Sequence, residues 1–325
     1  MRGSPAAAAR SPIDTRKFRR FYTLGVPARL KGEARGIALV ALSTLAYGVQ
    51  PIFGKAAYAA GVTPLALLAW RYLIALACME LAERGPRPPF ATRVRLWAIG
   101  VVFVFNSIAF FMALQALPAS VNALLLYIYP VIVALLAALF GIEALTWRSL
   151  LAALVAFAGC ALTAGGLGLS GAVPAHGIAW ALTAAFVYAS FVVLSSRFAS
   201  DVRARVLALH LVEVSAVMCT LLALAGPGLP LPRAPRAVLS IVAMALVSTI
   251  LSMTAFLAGM ALIGPSRAAV LSSLEVIVTL AFAFWLLGER LSTGQWAGAF
   301  LILGAVAFQN LGALRRAMAK RGAGL

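Results

Sequence analysis

The sequence predicts an all-α membrane protein of ten transmembrane helices, arranged as two inverted five-helix repeats. Three observations carry this expectation. First, 63% of the 325 residues are hydrophobic, 11% are charged and mean hydropathy is +1.00. A soluble domain is about 45–50% apolar and about 25% charged, so the surplus apolar surface must face lipid. Second, two stretches of the chain resemble each other. Gly36-Ile37-Ala38 is matched by Gly177-Ile178-Ala179, and Tyr47 by Tyr188, each eleven residues further on. Leu117–Ala161 then aligns without gaps on Ile263–Ala307, with Glu143 on Glu289. Self-similarity of this kind outranks local cues in reading a fold. Third, each copy holds five apolar segments. An odd number makes the second copy enter the bilayer from the opposite side.

A bilayer core takes about 20 apolar residues as helix. The spans are 36–59, 64–81, 96–117, 120–142, 149–167, 178–198, 206–225, 238–262, 268–287 and 295–314. Turn residues punctuate the connectors, as in Gly61-Val62-Thr63-Pro64, Leu117-Pro118, Gly165-Gly166 and Gly264-Pro265. The repeats therefore cover 36–167 and 177–314. They are flanked by basic tails of residues 1–35 and 315–325, which are expected to be cytoplasmic. The first tail lacks the apolar run and small-residue cleavage site of a signal peptide.

Orientation follows from the Lys/Arg bias of short loops. With the N-terminus inside, 22 of the 27 basic residues fall in cytoplasmic segments and three in outer loops. The remaining two, Lys55 and Arg71, fall within spans. Both termini are thus expected inside. The net charge of +18 needs no nucleic acid as partner, since the basic residues face the anionic cytoplasmic leaflet. Cys78, Cys160 and Cys219 all lie in apolar segments without metal-ligand spacing, and His176 and His210 are the two histidines. No metal or other cofactor is expected.

The repeat reaches diagnostic residues in its fourth and ninth spans. Tyr129-Pro130-Val131 followed by Glu143 resembles the fourth span of EamA-type transporters of the drug/metabolite transporter superfamily. Ser272-Ser273-Leu274-Glu275 followed by Leu287-Gly288-Glu289-Arg290-Leu291 resembles the ninth, and Pro64 with Arg71 the second. The resemblance covers about 36–314. One departure stands out: the ninth span usually has proline after the position of Glu275, and here it has Val276. Proline removes a helix hydrogen bond and kinks a span, so the fourth span, with Pro130, should bend more than the ninth. The resemblance implies a carrier in a bacterial-type inner (plasma) membrane. It implies alternating access for a small polar or amphipathic metabolite, amino-acid-like or drug-like, with export the more common direction among relatives.

Ionisable groups in the hydrocarbon core cost about 2.5–3.5 kcal/mol each on insertion scales, so each needs a reason. Glu275 heads the candidates, as a proton-coupling group, an acceptor for a substrate ammonium, or a structural partner of neighbouring serines. Glu213 and His210, three residues apart on one helical face, could relay protons or simply satisfy each other. Arg71 could hold a substrate carboxylate through a bidentate contact, or fix its own span. Lys55 could serve a gate or snorkel to the outer interface. Tyr47 and Tyr188, related by the repeat, fall near the midplane, where such architectures bind substrate. Asn106 and Tyr129 fall at similar depth, and an aromatic and amide cavity suits amphipathic solutes. Glu143 and Glu289 read as helix-end or loop anchors. Gly294 and Gly298 have the spacing of close helix packing, within the chain or in a homodimer.

Other classes fit less well. Gly168-Leu169-Ser170-Gly171 matches the pattern around an intramembrane serine nucleophile. A nucleophile needs a base within hydrogen-bond reach, and His210 falls at the other side of the membrane. No enzyme activity is expected. A non-transporting receptor or scaffold has no need for buried acids or paired midplane tyrosines.

Overall fold

The computed structural model describes residues 26–83, 85–140, 147–163, 174–199, 201–263, 268, 271–272 and 274–322. With no water to satisfy backbone groups in a bilayer, long apolar segments close their hydrogen bonds within helices. Among the described residues, seven helical stretches are long and apolar enough to cross a membrane, and Leu150–Thr163 and Leu274–Leu287 are shorter apolar helices. In chain order the elements are α1 (Val26–Gly48), α2 (Gln50–Ala59), α3 (Pro64–Ala82), α4 (Phe90–Ala116), α5 (Ala119–Leu126), α6 (Tyr129–Leu139), α7 (Trp147–Thr163), α8 (Ala175–Phe198) and α9 (Ala204–Ala225). Then come α10 (Pro235–Ala243), a π-helical segment (Met244–Leu251), α11 (Ser252–Ile263), α12 (Leu274–Leu287) and α13 (Thr293–Gly322). Leu45, Phe105, Leu154, Phe157, Phe186, Leu221, Trp285 and Phe300 are exposed. They form the apolar outer surface that lipid would cover.

Helices α1, α4 and α13 run beyond the hydropathic spans, starting at Val26 and Phe90 and ending at Gly322. Lys and Arg are good helix formers, so loss of hydropathy does not end a helix. Two spans are interrupted. Pro130 stands at the start of α6 and breaks the fourth span at Tyr127-Ile128. Pro51 does the same at Val49, between α1 and α2. In the ninth span, with Val276 in place of proline, Leu274–Leu287 is one helix, and Ser273, the repeat counterpart of Tyr127, lies outside the described residues.

The most extensive helix contacts each join one helix from each half: α7 with α13, α4 with α8, α3 with α9 and α1 with α11. Small residues set these crossings. A Cβ on Gly36 would meet Leu262 and Ile263, and one on Gly177 would meet Ala116 and Leu117. These contacts are equivalents under the sequence repeat. Gly298 lies directly against Gly159 and Thr163. Its partner in close packing is therefore α7 of the same chain; Gly294 is buried one turn earlier. The core divides into two clusters, one around α3, α4 and α9, the other around α5 to α8, α12 and α13. Tyr188 and Leu126 border both clusters.

Glu289, just after α12, accepts from the backbone N–H of Ala119 and Ser120 at 2.7 and 2.9 Å, and from Ser120 Oγ at 2.7 Å. It caps α5, an anchoring contact of the kind its position suggests. Glu143 lies outside the described residues, as does Ser170.

Candidate functional site

A narrow cavity of about 60 Å³ lies between the two core clusters. Its lining brings together Tyr47, Arg71, Asn106, Tyr129, Tyr188 and Glu275, all six of the residues singled out by depth and repeat symmetry. Two repeat-related pairs meet here, Tyr47 with Tyr188 and Tyr129 with Glu275. Gln50, Tyr127, Ser107, Phe103, Phe110 and Phe111 complete most of the wall.

The broken helices build one side. Pro51 has no N–H, so the carbonyl of Tyr47 lacks its helical donor. Next to it, the Gly48 carbonyl accepts from Thr279 Oγ1 of α12 at 3.0 Å. A side chain on Gly48 would collide with Val278, so glycine here lets α12 close onto the break. That approach sets Glu275 beside Tyr47. Across from it, the break at Tyr127-Ile128 turns Tyr127 toward α12. Its single hydroxyl proton is shared between the carbonyl of Ser272 and Glu275 Oε2, the latter at 3.0 Å.

Arg71 is 2% exposed and sits about two turns into α3. Thr63 and Pro64 start that helix, with Thr63 Oγ1 accepting from Ala66 N–H at 3.4 Å. The Arg71 Nε–H donates to Thr249 Oγ1 at 2.6 Å; Nη2 donates to Gln50 Oε1 at 3.0 Å and to the Ser248 carbonyl at 3.2 Å. The guanidinium lies 5.0 Å from the ring centre of Tyr72 and 5.5 Å from that of Phe111. No carboxylate lies within 4.0 Å of it among the described residues. A guanidinium has five N–H donors. Three are used here, and the two on Nη1 have no acceptor among the described residues. A bidentate Nη1–Nη2 contact to a carboxylate therefore requires Gln50 to yield; Nη1 alone is free to make a simpler contact.

Aromatic rings form a continuous wall. Tyr127 meets Tyr129 at 5.6 Å, Tyr129 meets Tyr188 at 4.7 Å and Tyr188 stacks on Phe191 at 5.9 Å. Asn106 contributes a buried Oδ1 with no hydrogen-bond partner among the described residues.

Other candidates lie elsewhere. His210 Nδ1 is 2.7 Å from the Val206 carbonyl of its own helix, and Glu213 accepts from Trp97 Nε1 at 2.8 Å. The two are not hydrogen-bonded to each other, and neither lines the cavity. Lys55 is half-buried on α2, within electrostatic range of Glu289 and outside the lining. Pro130 acts through the break it creates. Sequence reasoning missed Tyr127 and Gln50. Gln50 carried a readable signal, a polar residue between Gly48 and Pro51 in an apolar span. Tyr127 carried none, because the break decides which face it presents.

The EamA-like transporter family matches this chain twice, over residues 34–165 and 175–311. The uncharacterized transporter YcbK of Bacillus subtilis (strain 168) is 27% identical over 306 residues, spanning 87% of this chain and 96% of its own. A protein solved by crystallography superposes with a TM-score of 0.64 at 21% identity, over 87% of this chain and 98% of its own, and so shares the fold. With the doubled family match covering nearly the whole helical body, the chain belongs to the EamA-like transporter family of the drug/metabolite transporter superfamily, as a multi-pass membrane transporter.

Proposed function

We propose that this chain is a secondary carrier exporting a small zwitterionic, amphipathic metabolite of amino-acid type by alternating access. In this reading ten spans form two inverted repeats, and both termini face the cytoplasm. The observation that carries it is the lining of the cavity, which presents Arg71 and Glu275 to the same space. A cation taken out of water without a carboxylate is costly, and a substrate carboxylate would relieve that cost. Glu275 is the carboxylate of the lining and would receive the ammonium group. The aromatic wall of Tyr127, Tyr129 and Tyr188 suits an apolar body, by area and by ring contacts. Asn106 Oδ1 offers an acceptor for a further substrate donor.

Glu275 also serves as the coupling group: it holds either a proton or the substrate ammonium, so the two exchange across the cycle. The Tyr127 hydroxyl keeps the carboxyl turned into the cavity. The cavity lies between two core clusters, and motion of one cluster against the other would open it to either side in turn. In this reading the solute crosses without chemistry being done on it.

The test is transport in proteoliposomes loaded with a pool of L-amino acids, with and without an imposed pH gradient, each solute followed by mass spectrometry. The expected result is gradient-driven movement of a subset of the pool. In Glu275→Gln that movement no longer responds to the gradient. A Glu275→Gln variant with unchanged rate and unchanged gradient response would remove Glu275 from the mechanism. A wild type that moves no member of the pool would overturn the amino-acid class of the substrate.

A further inference from the structure

The π-helical segment Met244–Leu251 lies opposite Arg71, and its register explains how the guanidinium is held. At its end, the N–H of Ser252 is shared between the carbonyl of Val247, five residues back, and that of Thr249, three back. The following α11 bonds four residues back. A change from the one pattern to the other must pass over a carbonyl, and the one at that step belongs to Ser248. A carbonyl left over inside a membrane helix needs an outside donor. Arg71 Nη2 supplies it at 3.2 Å.

The widened turn also sets Thr249. Its hydroxyl donates to the Met244 carbonyl at 3.1 Å, again five residues back, and so turns a lone pair toward Arg71 Nε at 2.6 Å. Ser248 Oγ reaches across to the Ala46 carbonyl at 3.0 Å, tying the segment to the span that breaks at Pro51. Ser248 and Thr249 are both fully buried. Neither lines the cavity. Both reach it through Arg71, and Ser248 also through Ala46, the neighbour of Tyr47. Single-turn π elements recur at functional sites because they expose backbone groups that a regular helix hides.

We infer that Thr249 and the Ser248 carbonyl are positioning groups that fix the Arg71 guanidinium, leaving both Nη1 hydrogens for the anionic group of the transported solute. This rests on the reading of Arg71 as the anion-binding residue. Fixing Nε and Nη2 orients the plane of the guanidinium, so Thr249 sets how strongly a carboxylate is preferred over a neutral group of the same shape. Removing the Thr249 acceptor would let the guanidinium rotate and give up that preference, with the cation still present.

The experiment measures preference. Proteoliposomes are offered an equimolar pool of proteinogenic L-amino acids together with the matching carboxamides, and the uptake ratio of acid to amide is read by mass spectrometry. Four variants are compared with the wild type: Thr249→Val, Thr249→Ser, Thr249→Cys and Arg71→Gln. Each is checked for monodisperse elution in detergent. The expected ratio falls about tenfold in Thr249→Val and in Arg71→Gln, a change of the size that one hydrogen bond to a charged group sets. It returns to the wild-type value in Thr249→Ser. Thr249→Cys, a weak acceptor, falls between, and stands in if the valine variant does not fold. A wild-type ratio in Thr249→Val or Thr249→Cys, with Arg71→Gln impaired, overturns the positioning role and leaves the reading of Arg71 intact. A wild-type protein with no preference for the acids, or an Arg71→Gln variant that keeps it, overturns the reading of Arg71 and the inference with it.

Discussion

Replacing Glu289 should loosen the link between the two halves, and the structure sets the size of the effect. Its carboxylate receives three hydrogen bonds at the first turn of α5, from Ala119 N–H, Ser120 N–H and Ser120 Oγ. The residues that donate are 0% and 3% exposed with the carboxylate in place, so they are at most partly solvated once it is removed. A hydrogen bond to a charged group is worth about 1.5–3 kcal/mol, and a negative charge at a helix N-terminus adds about 0.3–1 kcal/mol. The three bonds share one carboxylate that is itself part-exposed, so the terms do not sum. Glu289→Ala is expected to cost ~3 kcal/mol, and Glu289→Gln, which keeps one acceptor oxygen, ~1–2 kcal/mol. At a few degrees per kcal/mol for a chain of this size, the alanine variant should unfold ~5 °C lower. The assay is reaction of a thiol-specific dye with Cys160 and Cys219 during heating in detergent, because both thiols are buried until the helices part. An alanine variant that unfolds within ~1 °C of wild type, or a glutamine variant worse than the alanine one, would show that the cap carries no weight.

Three further outcomes follow from the same contacts. Gly298→Ala and Gly159→Ala should each lower thermal stability by ~1–3 kcal/mol through overpacking, and the double variant by less than the sum, since the two share one crossing. Additive losses in a thermal-shift series would contradict the crossing. Tyr127→Phe should lower kcat/KM for transport about tenfold by freeing the Glu275 carboxyl, with the pH-gradient response retained; an unchanged kcat/KM would show that Tyr127 does not orient Glu275. Arg95→Ala, which removes the 2.8 Å pair with Asp201 at a solvent-facing end, should change stability by well under ~1 kcal/mol. A loss as large as that of Glu289→Ala would refute that ranking.

Much of the helical plan was legible because apolar runs and turn residues are local signals. The cavity was legible for a different reason. Polar side chains are rare in apolar spans, so Tyr47, Arg71, Asn106, Tyr129, Tyr188 and Glu275 stood out, and the repeat put two of them at matching depth. The bend of the fourth span followed from Pro130. The break at Pro51 follows from the same rule. What stayed hidden depended on contacts between helices. The spacing of His210 and Glu213 makes them neighbours on α9, yet Trp97 from α4 takes the carboxylate. The spacing of Gly294 and Gly298 announces close packing without naming the partner, which is α7. The π segment has no sequence mark, because its extra residue is stabilised by Arg71 and Ala46, both distant in the chain.

The most direct test of a carrier whose cavity is reached alternately from the two sides is chemical access to that cavity. Leu126 lines it without taking part in the polar contacts. Leu126→Cys, in a chain whose three native cysteines are replaced by alanine, would be labelled in oriented vesicles with a membrane-impermeant thiol reagent added to one side or the other. The account predicts labelling from either side, with solute on one side shifting the balance between the two rates. Labelling from a single side only, whatever solute is present, would contradict alternating access and leave the cavity a one-sided binding pocket.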